Sequence, residues 1–196
     1  MDQRRRLVLA STSRYRKELL ARLGLAFETA APQVDETPLA TEAPGDTALR
    51  LSILKAKSLA TLYPDALIVG SDQVASCDGA RLGKPGSHAN AVGQLRALSG
   101  KAAQFDTAVS LLDAKSGALQ SRVVACRVVF RPLDDARIEA YLRREQPYDC
   151  AGSAKSEGLG IALIERMETD DPTSLIGLPL IALTGMLERA GLPVLP

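Results

Sequence analysis

Apolar runs and their spacing divide the chain into short strands alternating with amphipathic helices. Leu7-Val8-Leu9-Ala10 is a short strand, and Leu19, Leu20 and Leu23 then recur at helical spacing until Gly24 stops the helix. Residues 26–30 read as a second strand. Pro44 and Asp46 open a long amphipathic helix through Leu49, Leu51, Ile53, Leu54, Leu59 and Leu62, ending before Pro64. Residues 66–69 are apolar and rich in β-branching, the pattern of a strand buried on both faces, and they run straight into Gly70, Ser71 and Asp72. The span 74–82, folded about Asp78-Gly79, is a hairpin signal. A helix over 87–98 closes at Ser99-Gly100, and alternating strands over 105–112 and 120–130 meet across Ser116-Gly117. A helix from Asp134 stops before Pro147, a loop of small residues fills 150–160, and 161–164 reads as a strand. Ile176-Gly177-Leu178-Pro179 leads the last helix, which runs to Arg189 and ends at Gly191.

This alternation predicts an α/β fold, a mixed twisted sheet with helices on both faces. With no internal repeat, low-complexity stretch or linker, residues 1–196 read as one domain, or as two small lobes sharing a core.

Composition changes that picture mainly by exclusion. Lys and Arg total 24 against 23 Asp and Glu, and the chain is 4% aromatic, a poor footprint for binding a nucleic-acid polymer. The Arg4-Arg5-Arg6 run reads as a solvated start to the first strand. The apolar runs are too short to span a membrane, no signal peptide is visible, and a cytoplasmic protein is expected. Cys77, Cys126 and Cys150 are scattered without metal-ligand spacing and read as reduced thiols. The single His88 argues against a histidine metal centre or a Ser-His relay.

Several polar positions carry candidate chemistry. Ser11-Thr12-Ser13 joins the first strand to the first helix, where free N–H groups, hydroxyls and a positive dipole end suit an anion. Arg16 adds a forked cation able to hold phosphate. Plain N-capping by Ser or Thr is the commoner use of such a turn, but it leaves the cations of the first turn unexplained. Asp35-Glu36 ahead of Pro38 reads locally as a solvated loop, with Mg²⁺ ligation as the alternative. Lys55 and Lys57 lie on different faces of their helix, so at most one of them faces a site. Lys84, between Gly83 and Pro85, is either rigidly positioned or an exposed turn lysine. Asp72, past an apolar strand, stands where open α/β sheets bind ligands; a capping role is the other reading.

In order along the chain stand L-A-S-x-S-x-x-R at 9–16, V-D-E-T-P at 34–38, G-S-D-Q-V at 70–74, G-K-P at 83–85, A-G-S-x-K-S-E-G at 151–158 and G-L-P-L at 177–180. This ordered set resembles the Maf family of nucleotide pyrophosphatases over almost the whole chain. The resemblance implies a Maf/ITPase-like fold with a cleft between two lobes. It also implies a cytoplasmic, often homodimeric enzyme that cleaves a nucleoside triphosphate between its α and β phosphates. A divalent cation, Mg²⁺ or Mn²⁺, would assist.

Carried over by position, Asp72 falls on the family's proton acceptor, and Ser11, Arg16, Lys55 and Lys84 on its phosphate-binding positions. Glu36, with Asp72, falls near the metal. Hydrolysis of a phosphoanhydride asks for charge neutralisation around one base, which fits this inventory. Tyr15, Gln73 and Glu157 occupy the positions that separate the family's branches and match the branch acting on 7-methyl-GTP. A cationic N7-methyl purine is attracted to an aromatic face, and a Glu carboxylate can accept both N1–H and the exocyclic amine of guanine. Against this, Tyr15 shares a helix face with Leu19 and Leu23 and fits the core equally, while Glu157 fits a solvated loop. Arg14 stands where many relatives have Pro at the first helical turn. Hydrolysis of 7-methyl-GTP to 7-methyl-GMP and pyrophosphate is therefore the expected activity. A dTTP/UTP-preferring pyrophosphatase and a non-catalytic nucleotide-binding regulator of septum formation are the alternatives.

Overall fold

A computed structural model describes residues 5–195. Its strands are β1 (Leu7–Ala10), β2 (Glu28–Ala30), β3 (Leu67–Cys77), β4 (Ala80–Leu82), β5 (Ala102–Asp113), β6 (Leu119–Phe130) and β7 (Ile164–Thr169). Its helices are α1 (Arg14–Ala21), α2 (Pro44–Ser58), α3 (His88–Leu98), α4 (Asp135–Glu145) and α5 (Leu180–Arg189). The sheet runs β2-β1-β3-β5-β6-β7, with β4 also on β3. β1 is parallel to both β2 and β3, whereas β4 and β7 are antiparallel to β3 and β6, so the sheet is mixed as expected. No helix among the described residues is long and apolar enough to cross a membrane.

Two compact units divide the chain. The first takes residues up to Gln73, Thr107–Val124 and the chain from Asp171; the second takes Val74–Asp106 and Ala125–Asp170. In the first unit, strand alternation sorts the core. Leu7, Leu9, Leu67 and Val69 pack with Leu19 and Leu20 of α1 and Leu183, Met186 and Leu187 of α5. Val8, Ala10 and Ile68 face the other way, onto Ala56 of α2 and Leu59. Helices therefore cover both faces of this part of the sheet, which is why its strands read as unbroken apolar runs. In the second unit α3 and α4 pack together, burying Ala91, Leu95 and Leu98 on one and Ile138, Tyr141 and Leu142 on the other.

The structure corrects several boundaries. β3 does not stop at Val69 but runs eleven residues to Cys77, because β1 pairs with it through Gly70 and β4 from Ala75. Gly, Ser and Asp are poor strand formers, but available partners override that propensity. α2 ends at Ser58, where i→i+3 bonds from Leu59 and Ala60 tighten the last turn, so Leu62 is exposed. Residues 159–163 form 3₁₀ turns, and the strand read at 161–164 begins only at Ile164. β7, the last strand in the sheet order, carries Glu165, Arg166 and Glu168, charges that suit an edge. Arg4 lies outside the described residues. Arg5 and Arg6 are not simply solvated: they pair with Asp113 and Glu28 at 2.7 Å.

Candidate active site

The site grows from the two-residue period of β3. Ile68 and Gly70 face α2, so Asp72 faces α2 as well, while Ser71 and Gln73 point to the opposite face. Gly70 lets α2 approach closely: a Cβ there would lie 2.0 Å from the Ser52 carbonyl oxygen and 2.9 Å from the Ala56 nitrogen. Lys55 lies on the same turn of α2, and the close approach puts its ammonium on Asp72. Asp72 thus sits inside a strand, two residues past Gly70, which pairs with Ala10 at the end of β1, rather than in a loop beyond a strand end.

Lys55 Nζ donates to Asp72 Oδ1 at 2.6 Å and pairs with Glu36 Oε1 at 2.9 Å. Lys55 and Asp72 are buried, at 5% and 8% exposure, and Glu36 reaches in from an exposed loop. Lys57 is exposed, so one of the two lysines faces the site, as the spacing predicts. Asp35 and Glu36 divide their work: Asp35 Oδ1 accepts from the Thr37 N–H and shapes the turn, and Glu36 goes to Lys55. No described residue donates to the second Asp72 oxygen, which leaves that oxygen as an acceptor.

The turn after β1 supplies the neighbouring groups. Ser13 caps α1 by accepting from the Arg16 N–H, and buried Ser11 accepts from the Ser13 N–H through its Oγ. Arg16 Nε donates to the Gly177 carbonyl at 2.9 Å. Burial pushes the Arg16 guanidinium below its ordinary pKa, and the nearby Asp72 and Glu36 charges oppose that shift. Gly177, at φ +121°, holds a conformation that favours glycine, and its carbonyl also accepts from buried Ser71 Oγ at 2.9 Å. The sequence marks the Gly177-Leu178-Pro179 stretch as the lead into the last helix and not as part of a site; a glycine ahead of Pro at a helix start is its one signal. Gln73 Nε2 is committed to Thr107 Oγ1 and to the carbonyls of Ser174 and Leu175, between 2.9 and 3.1 Å. Tyr15 is half-buried rather than packed away, and the Arg14 guanidinium lies 4.7 Å from its ring centroid.

Lys84 and Glu157 belong to the second unit. Both are exposed, and neither carries a hydrogen bond or ion pair to a described residue. The Lys84 segment is held at both flanks: Gln94 Nε2 donates to the Gly83 carbonyl at 3.0 Å, and Asn90 Nδ2 to that of Pro85 at 2.9 Å. Lys155, from the same motif as Glu157, is not free to bind phosphate. It pairs with Glu145 of α4 at 2.7 Å.

A divalent cation fits the first unit's donor set. Two carboxylates already converge on one positive charge, and oxygen donors suit Mg²⁺ or Mn²⁺. No cluster of three or more acidic, His or Cys side chains exists among the described residues, so phosphate oxygens and water would complete the coordination.

A buried carboxylate on the sheet, paired with an ammonium from α2 and near the guanidinium of a capped turn, forms one charged cluster in the first unit. The chain belongs to the family described as Maf-like protein, whose sequence profile matches residues 6–190. Among its relatives, a protein of Thiobacillus denitrificans named 7-methyl-GTP pyrophosphatase is 61% identical over 96% of this chain and 94% of its own length. Proteins of the same name from Cupriavidus pinatubonensis and Burkholderia pseudomallei are 60% and 56% identical, each over 96% of this chain and over 94% and 89% of their own lengths.

Proposed function

We propose that this chain is a nucleoside triphosphate pyrophosphatase that hydrolyses 7-methyl-GTP to 7-methyl-GMP and pyrophosphate. The observation that carries the reading is the buried Asp72–Lys55 pair with Glu36 and Arg16 beside it, in a chain that matches proteins of that name over most of their length. A water attacking the α phosphorus gives its proton to Asp72, and the α–β anhydride bond breaks to release pyrophosphate. Lys55 and Arg16 neutralise part of the charge that builds on the departing group, and the family resemblance gives Lys84 a phosphate-binding role. Ser11 and the capped turn receive the polyphosphate. In the first unit the cations Arg16 and Lys55 are already balanced by Asp72 and Glu36, so they cannot by themselves neutralise a triphosphate. A divalent cation held by Asp72 and Glu36 would supply that missing charge.

Base choice rests on Tyr15, Gln73 and Glu157. Tyr15 offers an aromatic face to the cationic purine, which would have to displace the Arg14 guanidinium 4.7 Å from the ring centroid. Glu157 offers an uncommitted carboxylate to the guanine edge. For Gln73 only the carbonyl oxygen remains available, since the amide nitrogen is occupied. A homodimer is part of the same reading and rests on the family resemblance. The test is pyrophosphate release from 7-methyl-GTP, GTP, dTTP, UTP and CTP with Mg²⁺ or Mn²⁺, beside Asp72→Asn. A preference for 7-methyl-GTP that falls about a hundredfold or more in the variant is expected. Preference for dTTP or UTP would overturn the base assignment; nucleotide binding without turnover would overturn the enzyme.

A further inference from the structure

Within the second unit the loop that carries Glu157 is fastened on both sides of that residue. On one side, Lys155 donates its backbone N–H to the Tyr141 hydroxyl at 3.0 Å and its ammonium to Glu145 Oε1 at 2.7 Å. On the other, the Leu159 N–H donates to Glu145 Oε2 at 2.7 Å. Gly158 lies flat against the same carboxylate, so close that a Cβ would meet Oε2 at 2.6 Å. Both oxygens of one Glu145 side chain therefore grip residues two positions before and two after Glu157. The Lys155 ammonium and the Leu159 N–H also hold the Glu145 carboxyl below the usual range.

A second fastening lies upstream. Ser153 is fully buried in a left-handed conformation, φ +58°, and its Oγ donates to Gln94 Oε1 at 2.6 Å. Gln94 Nε2 in turn donates to the Gly83 carbonyl, and the Gly152 N–H reaches the same carbonyl at 3.4 Å. A non-glycine residue kept at positive φ marks backbone that its surroundings over-determine. The loop thus ends up rigid in backbone, with one exposed carboxylate that no described residue uses. Such rigidity exceeds what a solvated loop needs.

We infer that Glu145 and Gln94 are positioning residues that preorganise the 151–159 loop, so that Glu157 meets the guanine edge without first being ordered. This deepens the substrate reading above and rests on it. Ordering a carboxylate-bearing loop at the moment of binding weakens affinity by about tenfold, and the loss falls only on a base that uses that carboxylate. The experiment compares wild type with Glu145→Ala, Glu145→Gln and Gln94→Leu. It measures kcat and KM for 7-methyl-GTP and UTP by pyrophosphate release, and amide hydrogen exchange over 151–160. In Glu145→Ala, KM for 7-methyl-GTP should rise about tenfold with kcat and the UTP constants nearly unchanged, whereas Gln94→Leu, which also takes a donor from the Gly83 carbonyl beside Lys84, should weaken both nucleotides but 7-methyl-GTP more. The Lys155 and Leu159 amides should exchange faster in Glu145→Ala, and Glu145→Gln, which keeps an acceptor for Leu159, should recover part of the loss. Lys155→Met replaces Glu145→Ala if that variant does not fold. An unchanged ratio between the two nucleotides, a parallel fall in kcat for both, or unaltered exchange would overturn the inference. A wild-type enzyme with no preference for 7-methyl-GTP refutes the substrate reading itself, a result distinct from an unchanged ratio beside a selective wild type.

Discussion

Gly70→Ala tests how the candidate catalytic pair is assembled. Gly70 has no positive φ to defend, so the substitution asks only about space. The new methyl would stand 2.0 Å from the Ser52 carbonyl oxygen and 2.9 Å from the Ala56 nitrogen, both of them backbone atoms that no rotamer change can move aside. Restoring ordinary contact pushes α2 outward by about 1.4 Å. Overpacking of this kind costs about 3 kcal/mol, at the upper end of its range because backbone meets backbone. For a chain of this length that lowers Tm by about 6–12 °C. Activity should fall further than stability predicts, because Lys55 rides on the displaced turn. Its 2.6 Å bond to Asp72 would stretch to about 4 Å, beyond hydrogen-bonding range. Thermal denaturation and pyrophosphate release, the latter at 25 °C where the variant remains folded, read the two effects separately. A Tm within about 2 °C of wild type together with kcat/KM within about twofold would refute the close-approach argument.

Two further outcomes follow from the charge arrangement. Lys55→Met keeps the aliphatic stem but leaves the buried Asp72 uncompensated, so urea denaturation should show a loss of about 3 kcal/mol, largely recovered in Lys55→Met/Asp72→Leu; equal losses in the single and double variants would contradict this. Glu42, gripped by the Arg50 guanidinium and by hydrogen bonds from Thr47 and the Leu39 N–H, has its pKa lowered from 4.5 to about 2. Because the folded value is the lower one, the contribution of this pair is present above pH 4.5 and disappears as pH falls through about 2. The urea midpoints of wild type and Glu42→Gln should therefore differ most above pH 4.5 and converge toward pH 2.

Much of the framework was legible because period and punctuation agreed. Ser13, Ser87 and Asp134, where the sequence starts its helices, turn out to cap them, and Asp78-Gly79 turns its hairpin with both residues at positive φ. The errors arose where partners overrode propensity. Gly70-Ser71-Asp72 read as the end of a strand, yet β1 pairs through Gly70 and β3 runs on with β5 as its other neighbour, and the apolar run 161–164 read as a strand although only Leu163 and Ile164 of that run are buried. Within the site, Asp72, Lys55 and Arg16 were visible as residue types in ordered motifs. Glu36 appeared locally as loop charge, since nothing in its own stretch announces an ammonium arriving from α2. The Gly177 carbonyl was invisible for a simpler reason: a backbone acceptor leaves no mark in residue identity beyond the glycine itself.

That carbonyl bears on the order in which the molecule can be built during synthesis. Arg16 and the group that orients it are separated by 161 residues, and Ser71 waits on the same peptide from 106 residues away. The hairpin at Asp78-Gly79 closes within a handful of residues and can form as soon as it is made. The Arg16 side chain has no such local route. Until Gly177 has been added, Arg16 lacks its acceptor and Ser71 lacks one of its two, although Asp72 and Lys55 are already present. A growing chain thus carries its charged pair long before it carries an oriented guanidinium, and this corner of the first unit stays incomplete until translation has passed Gly177.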